Sequence, residues 1–166
     1  QESRGLGDVY KRQRLSDVFA HPWNMTLGAI QDDSLVREIS KRMAEQNKAL
    51  GVHINFSPSV DVNNNSKNPI IGNRSFGEDQ KNVYRKAKAY IQGHKDVGVY
   101  TSIKHFPGHG DTDKDSHKTL PVISGNMKRL NNVELFPFKE VLVSTIETLG
   151  VKLSSEFWYN AIPAGL

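Results

Sequence analysis

The chain has 166 residues, no cysteine and a formal net charge of +4 at pH 7. This length predicts one domain, and the lack of cysteine excludes disulfides, thiolate metal sites and cysteine nucleophiles. Basic residues alternate with acidic ones, and no apolar run reaches the ~18 residues of a membrane span, so neither nucleic-acid binding nor a transmembrane segment is expected.

The N-terminal segment does not fit the pattern of the rest. Residues 1–13 show no apolar period and no helix cap, so we expect a non-native scar or a disordered tail and exclude them from the fold. A helical pattern opens at Asp32, Asp33 and Ser34. It continues through apolar residues at helical spacing and closes at Gly51, which is suited to a helix end.

Two β-rich runs and two more helices follow in alternation. Residues 52–56 alternate in polarity and predict a strand, and residues 61–77 form a loop rich in Asn, Gly and Pro. Residues 79–97 predict a second helix, and residues 99–103 predict a second strand. A third helix is expected to begin near Pro137.

The order of these elements predicts an α/β fold with a parallel sheet. Strands that alternate with long helices are typical of βαβ units. Right-handed crossovers place the loops 57–77 and 104–120 at the same carboxyl edge of the strands. We therefore expect the functional site at this edge.

The second loop contains the densest set of reactive side chains. Residues 104–117 hold three His, three Asp and two Lys. Asp115 lies two residues before His117, and a carboxylate in this position can fix an imidazole tautomer and raise its pKa, as a general acid requires. The tripeptide alone is more typical of a solvated loop, but the surrounding motif favours the functional interpretation.

Three further residues are candidates for ligand binding. Lys104 and His105 follow the second strand directly and can donate to sugar hydroxyls or to an anion; an exposed Lys and a capping His are an equal alternative. Arg74, in the first loop, can form a fork with a carboxylate or with vicinal hydroxyls. The alternative for Arg74 is a surface ion pair with Glu78 or Asp79.

Metal sites fit the sequence poorly. His105 and His109 have the spacing of a helical zinc pair, but the Pro-Gly dipeptide between them excludes a helix. Asp111, Asp113 and Asp115 match the start of a calcium loop, which then lacks its glycine and its final glutamate. No metal is expected.

The motifs together resemble the bacterial β-N-acetylglucosaminidases of glycoside hydrolase family three. The most specific segment is Lys-His-Phe-Pro-Gly-His-Gly at residues 104–110, followed by Asp-Ser-His at 115–117. Further matching segments are Met-Thr-Leu-Gly-Ala-Ile at 25–30, Asn-Phe-Ser-Pro-Ser-Val-Asp at 55–61, Ile-Gly-Asn-Arg-Ser-Phe-Gly at 71–77, Leu-Pro at 120–121 and Glu-Leu-Phe-Pro-Phe at 134–138.

The resemblance implies an incomplete TIM-type (β/α) barrel and a retaining hydrolase that removes terminal β-N-acetylglucosamine, including from peptidoglycan fragments (muropeptides). It implies that His117 is the general acid/base and that Asp115 orients it. Arg74, Lys104 and His105 would bind the sugar at the −1 subsite. It implies no metal and no organic cofactor.

Two departures from the family pattern limit this expectation. An Asp-x-Glu-Gly-Gly segment is missing, and no residue matches the nucleophilic Asp. We expect residues 14–143 to be the central part of the barrel domain, residues 144–166 to be a divergent tail, and the chain alone to be inactive. The alternatives are a non-catalytic carbohydrate-binding half-barrel and a metal-dependent hydrolase that uses His105, His109, His117 and the nearby Asp residues. A cytoplasmic and an exported or periplasmic location, and the oligomeric state, stay open.

Overall fold

The computed structural model describes residues 19–112 and 126–148. Asp115, His117 and the predicted scar at residues 1–13 lie outside these ranges. The described elements are α1 (Asn24–Ala29), α2 (Asp33–Ala49), β1 (Ile54–Asn55), a 3₁₀ turn (Gly72–Arg74), α3 (Gln80–Lys95), β2 (Tyr100–Thr101), α4 (Met127–Asn132) and α5 (Phe136–Thr148).

The two long helices begin where their capping residues predict. The Asp32 carboxylate accepts a hydrogen bond from the Ser34 backbone N–H at 2.8 Å, and the Asp79 carboxylate accepts one from the Asn82 N–H at 2.7 Å. Each satisfies an amide that the first helical turn leaves without a partner. Gly51 follows α2 with φ of +74°, a conformation that favours glycine. These parts of the sequence prediction are confirmed.

Helices α2 and α3 pack closely because small residues face each other. A Cβ on Gly93 would collide with the Arg37 carbonyl oxygen and lie 2.7 Å from the Lys41 amide. The Ser40 hydroxyl lies 2.6 Å from the Tyr90 carbonyl oxygen of the opposite helix and donates to it. The glycine therefore sets the distance between the two helix backbones.

Strands β1 and β2 are parallel neighbours, with Ile54 opposite Tyr100. Both are shorter than the predicted strands at 52–56 and 99–103. The Val52 amide donates to Asn47 at 2.9 Å and the Val99 amide donates to His94 at 3.1 Å, so both amides bond to the preceding helix. Beyond Asn55 the ladder is interrupted, because the Ser57 amide donates to the Asn55 carbonyl at 2.8 Å, and the next residue, Pro58, has no N–H to donate.

Pairing between the two chain segments resumes after this interruption. Ser59 and Lys104 form a parallel bridge, in which the Val60 amide donates to the Lys104 carbonyl at 2.8 Å and the Lys104 amide donates to the Pro58 carbonyl at 3.2 Å. The α/β class with parallel strands is confirmed. The core lies between the strands and the helices and includes Leu27, Val60, Val62, Phe76, Val83, Ala87, Tyr90 and Phe138.

Two short helices were not predicted. Each of α1 and α4 has six residues, which is too short for an apolar period to be recognised. Asn126 caps α4, since its side-chain oxygen accepts from the Arg129 amide at 3.0 Å. Across the described ranges, every helix is too short or too polar to cross a lipid bilayer.

Candidate functional site

The two loops that leave β1 and β2 lie side by side at the carboxyl edge, as predicted. The Asn68 side-chain amide donates to the His109 carbonyl at 2.6 Å, and the Asn65 side-chain amide donates to the Asp111 carbonyl at 3.1 Å. A Cβ on Gly110 would collide with the Val62 carbonyl oxygen, so the loops touch through their backbones. Only glycine permits this approach.

A buried carboxylate, Asp61, connects the two loops. It has no exposed surface. Its oxygens accept from the Ser59 hydroxyl at 2.7 Å, from the His105 backbone amide at 3.2 Å and from the His109 backbone amide at 2.6 Å. The His105 ring nitrogen Nδ1 lies 2.7 Å from Asp61 Oδ2. Four donors therefore converge on one buried acid.

These contacts keep Asp61 ionised. Burial alone would raise the pKa of Asp61, but the hydrogen bond and the charge interaction with His105, with the hydrogen bonds from Ser59 and His109, together lower it below the ordinary value of 3.8. Hydrogen bonds to the charged form of a carboxylate act in this direction. The site thus contains a fixed negative charge behind the His105 ring.

Arg74 lies on the opposite side of the same ring. Its Nη2 is 3.2 Å from His105 Nε2, and its Nη1 donates to the Ile70 carbonyl at 3.2 Å. The Asn24 side-chain amide donates to the Arg74 carbonyl at 2.8 Å and fixes the backbone of the 3₁₀ turn. The structure brings together Arg74 and His105, which are 31 residues apart in the chain.

The alternative interpretation of Arg74 as a surface ion-pair residue is wrong. Glu78 and Asp79 form no ion pair with Arg74 in the part of the chain that the structure describes. Asp79 instead caps α3 with its carboxylate. The guanidinium therefore faces the second loop.

Lys104 lies beside His105 at the strand exit. Its backbone takes part in the bridge to Ser59, and the residue is half-buried. The peptide bonds Lys104–His105 and Phe106–Pro107 are both cis. The positions of Arg74, Lys104 and His105 agree with a shared site, while their sugar-binding roles stay predictions.

His109 is buried beside this pair. It is 6% exposed, its Nδ1 is hydrogen-bonded to the Thr112 hydroxyl, and its Nε2 is buried without a partner among the described residues. The ring centroids of His105 and His109 are 6.1 Å apart, at 86°. Within residues 19–112 and 126–148, no three His, Cys, Asp or Glu side chains are grouped as metal ligands.

An ion-pair cluster anchors the far end of the second loop. Arg129 Nη2 lies 3.0 Å from Asp111 Oδ2 and 3.1 Å from Glu134 Oε1. The hydrogen bond that Arg129 donates to Asp111 raises the pKa of Arg129 above its ordinary value, against the effect of partial burial. Glu134 is 3% exposed, and its Cβ would lie 2.8 Å from a Cβ added to Gly108. The loop is thus held against the start of α5.

Asp61 is the site residue that the sequence analysis missed. It appeared only as the last residue of a matching segment, without a role. A sequence signal was present, because Asp61 is the first acidic residue after the predicted strand at 52–56. A carboxylate placed there must be paired or solvated. The roles of Asp115 and His117, which lie outside the described residues, stay predictions.

The chain is similar to one known protein family and to several known proteins. The family model described as "Glycosyl hydrolase family 3 N terminal domain" matches residues 9–153. Beta-hexosaminidase A of Pseudoalteromonas piscicida is 38% identical over 142 residues, which are 84% of this chain and 23% of that protein. Beta-hexosaminidase LpqI of Mycobacterium tuberculosis is 45% identical over 82 residues, which are 49% of this chain and 21% of that protein.

A solved structure extends the likeness to three dimensions. The glycoside hydrolase family 3 beta-N-acetylglucosaminidase from Paenibacillus sp. str. FPU-7 is 43% identical with a TM-score of 0.74, over 77% of this chain and 24% of that chain. The chain spans between 21% and 35% of the length of the curated relatives. The expected resemblance and the TIM-type barrel are confirmed, and β1 and β2 are two neighbouring strands of such a barrel.

Proposed function

Because the chain belongs to the glycosyl hydrolase family 3 N-terminal domain family, we propose that it forms part of the active site of a β-N-acetylhexosaminidase. The reaction is the removal of terminal β-N-acetylglucosamine with retention of configuration. The observation that carries the proposal is the contact between Arg74 and His105, held against the buried Asp61 at the carboxyl edge of the strands. Hexosaminidase relatives support the substrate class.

The charges around this contact favour a neutral, hydroxyl-rich ligand. The negative charge of Asp61 lies on one side of the His105 ring and the positive charge of Arg74 on the other. These two charges offset each other, so an anionic ligand gains little from the pair. A guanidinium and an imidazole side by side instead offer hydrogen bonds to sugar hydroxyls. Lys104 adds a donor at the same strand exit.

The chemical step is assigned to His117, with Asp115 as its orienting partner. The imidazolium of His117 protonates the leaving glycosidic oxygen, and the neutral imidazole then removes a proton from the incoming water. A retaining mechanism also requires a nucleophile, and we assign none in this chain. Peptidoglycan-derived muropeptides are the proposed natural substrates, in accordance with the bacterial origin of the relatives.

The proposal is tested by binding and by turnover on the chain. N-acetylglucosamine should bind more tightly than glucose in a calorimetric or NMR titration. Arg74→Met should weaken binding at least about tenfold, which corresponds to about 1.4 kcal/mol. Arg42→Met is the matched control, because Arg42 lies on the exposed face of α2 and, among the described residues, forms an ion pair only with Glu38. Equal affinity in both variants would contradict the proposed subsite.

Turnover is measured with an aryl N-acetylglucosaminide. The chain alone is expected to release no product, since no residue is assigned as nucleophile. Binding without release is also what a non-catalytic carbohydrate-binding half-barrel would give, so the hydrolase proposal requires release once the nucleophile is supplied by the complete barrel. In the complete barrel, the acid/base assignment is tested with a disaccharide, whose leaving group needs a proton. An undiminished rate of disaccharide cleavage after His117→Ala would contradict the assignment.

A further inference from the structure

We infer that Asp61 is a positioning residue that keeps the proton of the His105 ring on Nδ1, so that Nε2 is the acceptor for a hydroxyl group of the bound sugar. The identity of the ligand rests on the proposed function. The position of the proton rests on the contacts of the described residues alone.

The Asp61 side of the ring requires a donor. Asp61 Oδ2 lies 2.7 Å from His105 Nδ1, and the carboxylate is ionised and can only accept. The Ser59 hydroxyl and the backbone amides of His105 and His109 all donate to the same carboxylate. A proton on Asp61 would face one of these donors. The shared proton therefore belongs to Nδ1 of His105.

The Arg74 side of the ring requires an acceptor. A guanidinium has five N–H donors and no acceptor. Arg74 Nη2 lies 3.2 Å from His105 Nε2, so a proton on Nε2 would place two donors against each other. A neutral imidazole carries one ring proton, and Arg74 and Asp61 both favour its position on Nδ1.

The geometry has a consequence for ligand binding. Nε2 has one lone pair in the ring plane, so it accepts from Arg74 or from a hydroxyl group, but not from both with good geometry. A hydroxyl that donates to Nε2 releases an N–H of Arg74, which can then donate to the oxygen of the same hydroxyl. Arg74 and His105 thus match the donor and acceptor sides of one sugar hydroxyl. With the proton on Nε2, both groups would donate and this match would be lost.

The test reads the proton position directly. The chain is labelled with ¹⁵N-histidine, and the two-bond ¹H–¹⁵N correlations of His105 are recorded well above the ordinary histidine pKa of about 6.5. The wild type should show the Nδ1–H pattern. Arg74→Met should keep it, because Asp61 still accepts from Nδ1. Ser59→Ala, which removes another donor to Asp61 without touching the ring, should also keep it.

The double variant Asp61→Ala/Arg74→Met should show a mixture of the two tautomers. An unchanged Nδ1–H pattern in that variant would overturn the inference, and so would Nε2–H or a mixture in the wild type or in Arg74→Met. If the double variant does not fold, the spectra of the wild type and of Arg74→Met test the inference. Loss of the Nδ1–H pattern in Arg74→Met would show that Arg74, and not Asp61, fixes the position of the proton.

The acceptor role is read by adding N-acetylglucosamine to the labelled wild type. Binding should shift the Nε2 signal of His105, and binding that leaves it unchanged would overturn this role. Absence of binding, with Nδ1–H intact in Arg74→Met, would instead count against the proposed function. The two failures are therefore distinguishable.

Discussion

His94 and His105 are two histidines held at both ring nitrogens, in opposite surroundings. His94 is fully buried, with Nδ1 2.8 Å from the Ser40 hydroxyl and Nε2 2.9 Å from the Asn55 side-chain amide. The side chain of His105 is 33% exposed and lies between the charges of Asp61 and Arg74. The same ring thus serves the interior in one place and the surface of a candidate site in the other.

The difference shows how surroundings separate a structural histidine from a binding one. His94 stacks on Tyr90, with ring centroids 4.6 Å apart, and its polar partners come from α2 and β1. It connects three elements and has no access to a ligand. Charged partners and an open face distinguish His105, and these are the features expected of a ligand-binding group.

The largest expected effect separates the two histidines by stability. His94→Ala removes a buried aromatic ring and leaves the Asn55 side-chain amide with only its longer contact to the Tyr90 hydroxyl, at 3.4 Å, among the described residues. It should therefore lower the free energy of unfolding by about 3–5 kcal/mol. His105→Ala removes a partly exposed ring and should cost at most about 2 kcal/mol. Urea unfolding of the chain measures both values. Equal losses of unfolding free energy in the two variants would contradict the view that His94 is structural and His105 is not.

Removal of Asp61 should give the next largest effect and a pH dependence. Asp61→Ala leaves the amides of His105 and His109 without their acceptor and should cost about 2–3 kcal/mol near neutral pH. Because the pKa of Asp61 is lowered in the fold, its contribution is fully present above the ordinary value of 3.8 and is lost as the pH falls through the folded value.

The stability difference between wild type and Asp61→Ala should therefore shrink below about pH 4. Urea unfolding of both chains at a series of pH values gives this difference directly. Ser59→Ala is the control for a lost neutral donor and should cost about 1 kcal/mol. A difference that grows on acidification would mean that Asp61 is protonated in the fold.

Glu134 is a buried carboxylate that pairs with the guanidinium of Arg129, whereas Asp61 pairs with the imidazole of His105. Arg129→Met leaves Glu134 buried, and the 3.5 Å contact from Asn64 is then its only hydrogen bond from a side chain among the described residues. Loss of one partner of a fully buried pair costs about 3–5 kcal/mol, but Arg129 is 37% exposed, so about 1–2 kcal/mol is expected. Thermal or urea unfolding measures it. A loss as large as that of His94→Ala would contradict this ranking.

The smallest stability effect is expected at Arg74. Arg74→Met should change the free energy of unfolding by no more than about 0.5 kcal/mol, because the side chain is partly exposed and bonds one carbonyl and one ring nitrogen. Arg74→Met should instead lower the affinity for N-acetylglucosamine, whereas His94→Ala should mainly lower stability. A destabilised Arg74→Met with unchanged affinity would assign Arg74 to the structure and not to the site.

The sequence predicts the helices better than the strands. Asp32 and Asp79 mark helix starts because a cap acts on amides only two or three residues away. Strand ends depend on partners distant in sequence, such as the His94 carbonyl that takes the amide of Val99. No local pattern contains this information, and the predicted strands were therefore too long.

The candidate site was predicted in part. The parallel topology places Arg74 and His105 at one edge, and the structure confirms that they meet. The importance of Asp61 could not be ranked from sequence, since it depends on donors from both loops converging on one carboxylate. Chemistry at Asp115 and His117 was inferred from the motif alone and stays a prediction.

Because of the backbone contact at Gly110, the two loops can be transferred into a related barrel only together. Since Gly110 rests on the Val62 carbonyl and Asn68 holds the His109 carbonyl, neither loop keeps its path without the other. A chimera that carries only residues 104–112 into a related barrel would meet a foreign surface and lose the alignment of His105. Recombination that exchanges both loops together would preserve it, so the two strand exits should be inherited as one block.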